Sequence, residues 1–166
     1  MTLEKEIGFN SFRNEWQKAG LAILYTYGLL NNGHENFFKQ HGLTSQQYNA
    51  LRILHDQYPT PVSTSYLREK MLDKMSDASR LVSRLSAKGL VDVKQNATDK
   101  RLVNILISEE GLRKFNSIGK EISKMDALMQ ALTEEEARQL TSLLDKARQS
   151  IQSNGEPSTS LEQAQS

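Results

Sequence analysis

The sequence contains no cysteine and only one tryptophan among its 166 residues. Without cysteine the chain has no disulfide, no thiol-based sensor and no metal thiolate. The longest apolar run, residues 20–30, is shorter than the roughly 20 residues that a transmembrane helix needs, and it includes two tyrosines and a threonine. Residues 1–7 lack the basic-then-apolar pattern of a signal peptide. We therefore expect a cytoplasmic protein without a membrane partner.

Motifs for catalysis and for cofactor binding are also missing. The chain has no Gly-x-Ser-x-Gly elbow and no Gly-x-Gly-x-x-Gly loop, and His34 stands where a phosphate loop starting at Gly28 would need lysine. His34 and His41 are seven residues apart with Glu35 nearby, but histidines on one helical face are more often packed or solvated than bound to metal. We predict no enzyme activity, no catalytic residue, no cofactor and no metal site.

The net charge of +1 hides an uneven distribution of basic residues. Residues 62–101 carry nine Lys/Arg and five Asp/Glu, whereas the rest of the chain carries 12 Lys/Arg and 15 Asp/Glu. A basic middle between weakly acidic flanks is typical of a phosphate-facing module on a scaffold that does not bind nucleic acid.

Hydrophobic periodicity predicts four helices before residue 90. The first spans residues 12–41, and because about 30 residues is long for a small domain, part of it should pack outside its own domain. Shorter helices follow at residues 44–55 and from Ser63. The fourth begins between Asp73 and Ser76 and ends at Lys88; its core stripe comprises Ala78, Leu81, Val82 and Leu85.

The period then changes from helical to alternating. Residues 90–94 and 102–107 predict two strands that form a hairpin around the turn at residues 95–99. Two more helices follow, one from Ser108 to Leu132 and one from Thr133, which makes a capping-box pattern with Glu136.

Three short stretches carry a recognisable family pattern. Gly42-Leu43-Thr44 leads into the second helix. Residues 72–91, Leu-Asp-Lys-Met-Ser-Asp-Ala-Ser-Arg-Leu-Val-Ser-Arg-Leu-Ser-Ala-Lys-Gly-Leu-Val, predict a turn, a helix and a strand. Asp99-Lys100-Arg101 is followed by Ile-Ser-Glu-Glu-Gly at residues 107–111. In combination, over about residues 10–150, these stretches resemble the MarR family of dimeric transcriptional regulators.

The predicted fold is mainly α with a small β-hairpin, a winged helix-turn-helix with long N- and C-terminal dimerisation helices. We expect an N-terminal dimerisation helix at residues 1–42 and a DNA-binding lobe at residues 43–110. C-terminal dimerisation helices should occupy residues 111–152. Residues 153–166 are rich in Ser, Gln and Glu, which predicts a disordered tail.

The fourth helix and the hairpin supply the candidate DNA contacts. A recognition helix presents its first exposed residues to base edges in the major groove, where Arg80 could pair with guanine and Arg84 could hold the phosphate backbone. At the hairpin tip, Arg101 can enter a narrow minor groove while Asp99 directs its guanidinium. The predicted DNA-binding residues are Ser76, Asp77, Ser79, Arg80, Arg84, Asp99, Lys100 and Arg101.

The resemblance implies further partners. It predicts a homodimer on a pseudo-palindromic operator of double-stranded DNA, acting as a repressor, with Phe12 and Trp16 as candidate interface anchors that could equally belong to the core of the chain. It also implies release by a small aromatic or acidic ligand, for which Tyr25, His41 and Arg52 are the candidate residues. The alternative is a winged-helix adaptor that binds protein, since winged helices also serve as docking modules.

Overall fold

Seven α-helices, one 3₁₀ helix and a two-stranded hairpin form the described part of the chain. The computed structural model describes residues 2–9, 11–99 and 101–155. The elements are α1 (Leu3–Ile7), α2 (Glu15–Gln40), α3 (Ser45–Gln57), α4 (Thr64–Lys70), α5 (Ala78–Ala87), β1 (Val91–Gln95), β2 (Val103–Ile107), α6 (Glu109–Gly119), a 3₁₀ helix (Ile122–Leu128) and α7 (Glu134–Gly155). This order confirms the predicted fold class. Within the described ranges, no helix has the length and apolar character needed to cross a membrane.

Polar side chains define where the helices begin. An N-cap side chain accepts a hydrogen bond from a backbone N–H of the first turn, which satisfies a donor that the helix itself cannot pair. Thr44 and Gln47 form a full capping box at α3, and Thr133 and Glu136 exchange the equivalent bonds at α7. The other side-chain caps in the described residues are Asn14, Ser63, Asp77 and Ser108.

One apolar core joins α3, α4, α5, the hairpin and α6. The predicted stripe of α5 is buried as expected, at Ala78, Leu81, Val82 and Leu85. Leu51, Leu67, Leu85, Ile105 and Ile118 are completely covered. Gly89, with φ +70°, ends α5 in a left-handed conformation that suits glycine and turns the chain into β1.

The hairpin is held against the helices by a third short segment. Strands β1 and β2 pair antiparallel, with Val91 opposite Ile107 and Val93 opposite Ile105. Val62, in the loop before α4, exchanges two backbone hydrogen bonds with Ile105, at 2.9 and 2.8 Å. This bridge holds the hairpin next to the start of α4. A two-stranded hairpin of this size is only marginally stable alone, so the bridge also stabilises it.

Two predicted helix boundaries differ from the structure. The first long helix begins at Glu15 rather than near Phe12, after the separate short helix α1. The helix predicted from Ser108 to Leu132 ends at Gly119 and is followed by the 3₁₀ helix. Ile122 and Met125 of the 3₁₀ helix pack on the core as partly buried residues. Sequence periodicity does not distinguish these two helix types.

The internal contacts divide the chain into two compact units, which meet in sequence between Asp126 and Ala127. In the second unit, α7 continues to Gly155, so residues 153–155, predicted as the start of the tail, are helical. The rest of the predicted tail lies outside the described residues. The exposed apolar side chains of α7 include Leu143 and Ile151, at 62% and 69%.

Candidate nucleic-acid interface

A groove lined by hydroxyl, charged and aliphatic side chains runs between α4, α5 and the hairpin. It encloses about 890 Å³. The hydroxyl side chains on its walls come mainly from both helices, and its two basic side chains come from α4 and from the hairpin between β1 and β2, here called the wing. The lining residues are Thr64, Ser65, Arg68, Ser76, Asp77, Ala78, Ser79, Val82, Ser83, Ser86, Val93, Arg101, Leu102 and Val103. Hydroxyl and guanidinium groups are the side chains that most often bind phosphate and sugar oxygens.

Helix α5, the predicted recognition helix, presents two kinds of exposed side chain. Ser79 and Ser83 line the groove, whereas Arg80 and Arg84 are exposed without being part of its lining. Because α5 buries Leu81 and Leu85 underneath, both exposed sets face away from the core. The helix can therefore present hydroxyl groups along one flank and positive charge along the next.

Two predicted contact residues occupy different positions from those expected. Ser76 was expected on the outward face of the helix but is only 8% exposed, and its Oγ has no hydrogen-bond partner among the described residues. Asp77 is the N-cap, and its Oδ1 accepts from the N–H of Arg80 at 3.0 Å. The physical reason is that α5 begins only at Ala78, so that Ser76 belongs to the turn and lies on the floor of the groove.

The tip of the hairpin is a self-bonded turn that carries Arg101 and Asp99. Asn96 Oδ1 accepts from the backbone N–H groups of Thr98 and Asp99, at 2.9 and 3.0 Å. Its Nδ2 donates to Asn104 Oδ1 at 3.0 Å. These bonds hold Asn96, Thr98, Asp99 and Asn104 together, and the side chain of Arg101 beside them is 91% exposed. Lys100, also predicted here, lies outside the described residues.

Asp99 holds Arg101 through both backbone and side chain. Its Oδ1 accepts from the N–H of Arg101 at 3.0 Å and from Nε at 3.2 Å. These two bonds lower the pKa of the Asp99 carboxyl, the backbone bond contributing most. The carboxylate therefore stays ionised and restrains the guanidinium while leaving its far side open to solvent.

Sequence reasoning missed the contribution of α4 to the groove. Thr64, Ser65 and Arg68 lie on this helix, which Ser63 caps. Arg68 was counted in the basic middle of the chain but was not assigned to the site. The usable signal was its position in the helix directly before the recognition helix. Ser83 was also missed, although it lies one turn beyond Ser79.

The three candidate ligand residues do not form a connected cluster. Tyr25 is half-buried on α2, and the ring of His41 lies 5.0 Å from that of Phe37. Arg52 donates to Asp56 Oδ2 at 3.0 Å and to Asn49 Oδ1 at 3.2 Å from Nη2. Among the residues that the structure describes, no hydrogen bond, ion pair or ring contact joins Tyr25, His41 and Arg52 to one another. In the same ranges no group of three or more metal-binding side chains is found.

Comparison with known proteins finds relatives that match the part of the chain from α3 to the hairpin tip. Residues 41–102 match the MarR family. The chain is 24% identical over 130 residues to the HTH-type transcriptional regulator MhqR of Bacillus subtilis (strain 168), covering 78% of this chain and 88% of that protein.

Two solved structures share the fold over most of the chain. One is a cysteine-to-serine mutant of MarR from E. coli complexed with operator DNA, with a TM-score of 0.73, 20% identity, and coverage of 83% of this chain and 99% of that chain. The other is BpsR of Bordetella bronchiseptica, whose DNA binding is regulated by 6-hydroxynicotinic acid, with a TM-score of 0.67, 20% identity, and coverage of 79% and 98%. Residues 41–102 are therefore similar to the MarR family, and the chain shares the winged helix-turn-helix fold of these structures.

Proposed function

We propose that this chain is a sequence-specific DNA-binding transcriptional regulator, and that it acts as a repressor. The observation that carries the proposal is the hydroxyl-lined groove between α4, α5 and the wing, with Arg101 held outward at its edge by Asp99. In this arrangement α5 enters the major groove, the walls of the protein groove hold the sugar-phosphate backbone, and Arg101 enters the adjacent minor groove.

Two copies of the chain bind one operator in this proposal. Helix α2 exposes large apolar side chains that a monomer would leave in water, with Trp16, Leu24 and Tyr27 at 84%, 67% and 61%. Such residues are enriched at protein interfaces. A two-fold dimer places its recognition helices about 34–36 Å apart, which requires an operator with two-fold symmetry.

A small aromatic or acidic molecule releases the operator in this proposal. The support is the similarity to BpsR, whose DNA binding is regulated by 6-hydroxynicotinic acid. Tyr25, His41 and Arg52 stay predictions for this ligand. Titrating benzoic, phenolic and hydroxynicotinic acids against the protein–operator complex tests it, and release by at least one is expected. Insensitivity to all would contradict this part of the proposal alone.

The proposed regulator has no catalytic role and works in the cytoplasm. The alternative, a protein-binding adaptor, is less well supported by the site. An adaptor would not need an exposed arginine directed by a carboxylate at the hairpin tip, next to a groove lined by hydroxyl groups.

Selection of bound fragments from genomic DNA by the purified chain tests the proposed function. We expect enrichment of a short pseudo-palindromic sequence, and we expect expression of the adjacent genes to rise when the regulator is deleted. Fragments no more enriched than the input at low salt would overturn the proposal.

A further inference from the structure

Polar side chains attach the carboxyl end of the proposed recognition helix α5, and the turn that leads into its amino end, to the corner between α2 and α3, here defined as residues 42–46. At the carboxyl end of α5, Lys88 Nζ donates to the carbonyl oxygen of Gly42 at 2.9 Å. At the amino end, Gln46 Nε2 donates to Asp73 Oδ2 at 2.7 Å. The first contact joins two residues that are 46 positions apart in sequence, and the second joins two that are 27 positions apart.

Asp73 transmits its contact directly to the start of α5. While Oδ2 binds Gln46, Oδ1 accepts from the N–H of Met75 at 2.9 Å, and the Asp73 carbonyl accepts from the N–H of Ser76 at 3.3 Å. The turn that leads to the Asp77 cap is thus built on a carboxylate anchored to α3. Loss of Asp73 would release both the anchor and the turn.

Lys88 holds the opposite end by an equivalent contact. It is the C-cap of α5, where a positive charge also suits the helix dipole. Its acceptor is well placed, because Gly42 has φ +71° and lies in the turn that ends α2. The N–H of Gly42 donates to Lys39 at 3.0 Å, and Leu43 is buried. The carbonyl of Gly42 is therefore part of a fixed turn.

The corner itself is fastened to α2. Glu35 Oε1 accepts from the N–H of Ser45 at 3.1 Å, and the carbonyl of Phe38 accepts from the N–H of Leu43 at 3.1 Å. The apolar stripe of α5 holds the helix on the core, and the two directional hydrogen bonds add a preferred position along and around the helix axis to that packing.

We propose that Lys88, Gln46 and Asp73 are positioning residues, which set the orientation of the recognition helix by tying both its ends to the α2–α3 corner. They act without touching a base. This inference rests on the proposed function, because its consequence is sequence-specific binding. Displacing α5 weakens base contacts, which need exact placement, far more than contacts with phosphates, which depend mainly on charge.

The test compares Lys88→Met, Asp73→Ala and Gln46→Ala with the wild-type chain. For each, the dissociation constant is measured on the selected operator and on a scrambled duplex of equal length. The readout is the operator-to-scrambled ratio of affinities, which is the dissociation constant on the scrambled duplex divided by that on the operator. It does not depend on the fraction of folded protein, so a variant that is merely less stable leaves it unchanged.

The opposite charges of Lys88 and Asp73 make the result decisive. If charge alone mattered, Lys88→Met would weaken binding to both duplexes and Asp73→Ala would strengthen it. Positioning predicts that all three variants lower the operator-to-scrambled ratio, each by about three- to tenfold, as the loss of one or two hydrogen bonds would. Lys88→Arg should restore most of the ratio, and Lys39→Met, an exposed lysine on α2, is the matched control and should not change it.

The salt dependence separates positioning from direct phosphate contact. Lys88→Met should leave the slope of log affinity against log salt unchanged, whereas a lysine on a phosphate would lower it by about 0.9. Wild-type ratios in all three variants, or a lowered slope for Lys88→Met, would overturn the inference while leaving the proposed function intact. A wild-type chain that does not distinguish the two duplexes would overturn both.

Discussion

The arginines near the groove differ in how firmly the protein holds them. Arg101 is restrained by Asp99, whereas among the described residues neither Arg80 nor Arg84 forms an ion pair. A restrained guanidinium loses less conformational entropy when it binds a narrow target. Arg101 should therefore contribute more affinity than its exposure alone suggests, and Asp99 should share in that contribution.

Arg101→Ala should weaken operator binding by about 1–2 kcal/mol, and Asp99→Asn by a smaller amount. The direction for Asp99→Asn is informative, because removing a negative charge beside DNA would otherwise strengthen binding. Fluorescence anisotropy with labelled operator measures both. Tighter binding by Asp99→Asn would contradict the role given to this carboxylate.

The contact between Asp99 and Arg101 should also be insensitive to pH near neutrality. Since Arg101 lowers the pKa of Asp99, the bond is present at pH values above the usual aspartate range and is lost only as the pH falls through the lowered value. The ratio of wild-type to Arg101→Ala affinity should thus be constant between about pH 5 and pH 8. A ratio that falls steadily as the pH is lowered from about 8 to about 5 would contradict this ionised contact between Asp99 and Arg101.

Arg80 and Arg84 should affect binding in different ways. Arg84→Ala should lower the salt slope by about one unit and weaken all sequences alike, as loss of one phosphate contact does. Arg80→Ala should cost about 1–3 kcal/mol and relax specificity at one base pair, with Lys39→Met as a control for net charge. Equal effects of the two variants on slope and on specificity would contradict the separate roles.

Some of the site could be predicted from residue type and some could not. Arg80, Arg84, Asp99 and Arg101 follow from charge and position within recognisable elements. Ser76 does not, because a shift of two residues in the start of α5 moves a side chain from the helix surface to the turn beneath it.

At the scale of elements, most of the architecture is encoded locally. The α5 stripe and the caps at Thr44, Ser63 and Ser108 are signals within a few residues of each other, and the structure confirms them. The bridge from Val62 to Ile105 joins distant residues, and the 3₁₀ helix after Gly119 packs Ile122 and Met125 against the core. Neither leaves a local pattern in the sequence.

Gly111→Ala should destabilise the packing of α6 on the core, because α6 crosses the backbone at Leu90 closely at this residue. A Cβ on Gly111 would overlap the carbonyl oxygen of Leu90 and lie 2.8 Å from Ile107 Cγ1. We expect a loss of at least about 2 kcal/mol in the free energy of unfolding, measured with urea. Gly119→Ala is the control, since a Cβ there meets nothing within 4 Å. Equal stability of the two variants would contradict the packing described for α6.

At the scale of the whole molecule, the exposed apolar side chains of α2 and α7 require explanation. Trp16 is 84% exposed, whereas Phe12, the other candidate anchor, is half-buried and lies 5.3 Å from Phe9 between ring centroids. Phe12 thus packs within its own chain. The proposed dimer would cover Trp16, and the sequence alone could not separate these two aromatic residues.

Trp16→Ala should weaken the dimer by about 2 kcal/mol, or roughly thirtyfold in its dissociation constant, as truncation of an interface anchor does. Sedimentation at graded concentrations measures this. Leu72→Ala is a matched control, because Leu72 is 83% exposed but lies before the recognition helix. An unchanged dimer in Trp16→Ala, or a monomeric wild-type chain, would contradict the assignment.

The most direct test of the central claim is hydroxyl-radical footprinting of the selected operator with wild-type and Arg101→Ala protein. Two copies bound to one duplex should protect from cleavage two DNA segments related by two-fold symmetry. The centres of the two half-sites should lie about 10–10.5 base pairs apart or a multiple of that spacing. Arg101→Ala should lose protection only in the flanking minor grooves. A single asymmetric footprint, or protection that does not change in Arg101→Ala, would contradict the account.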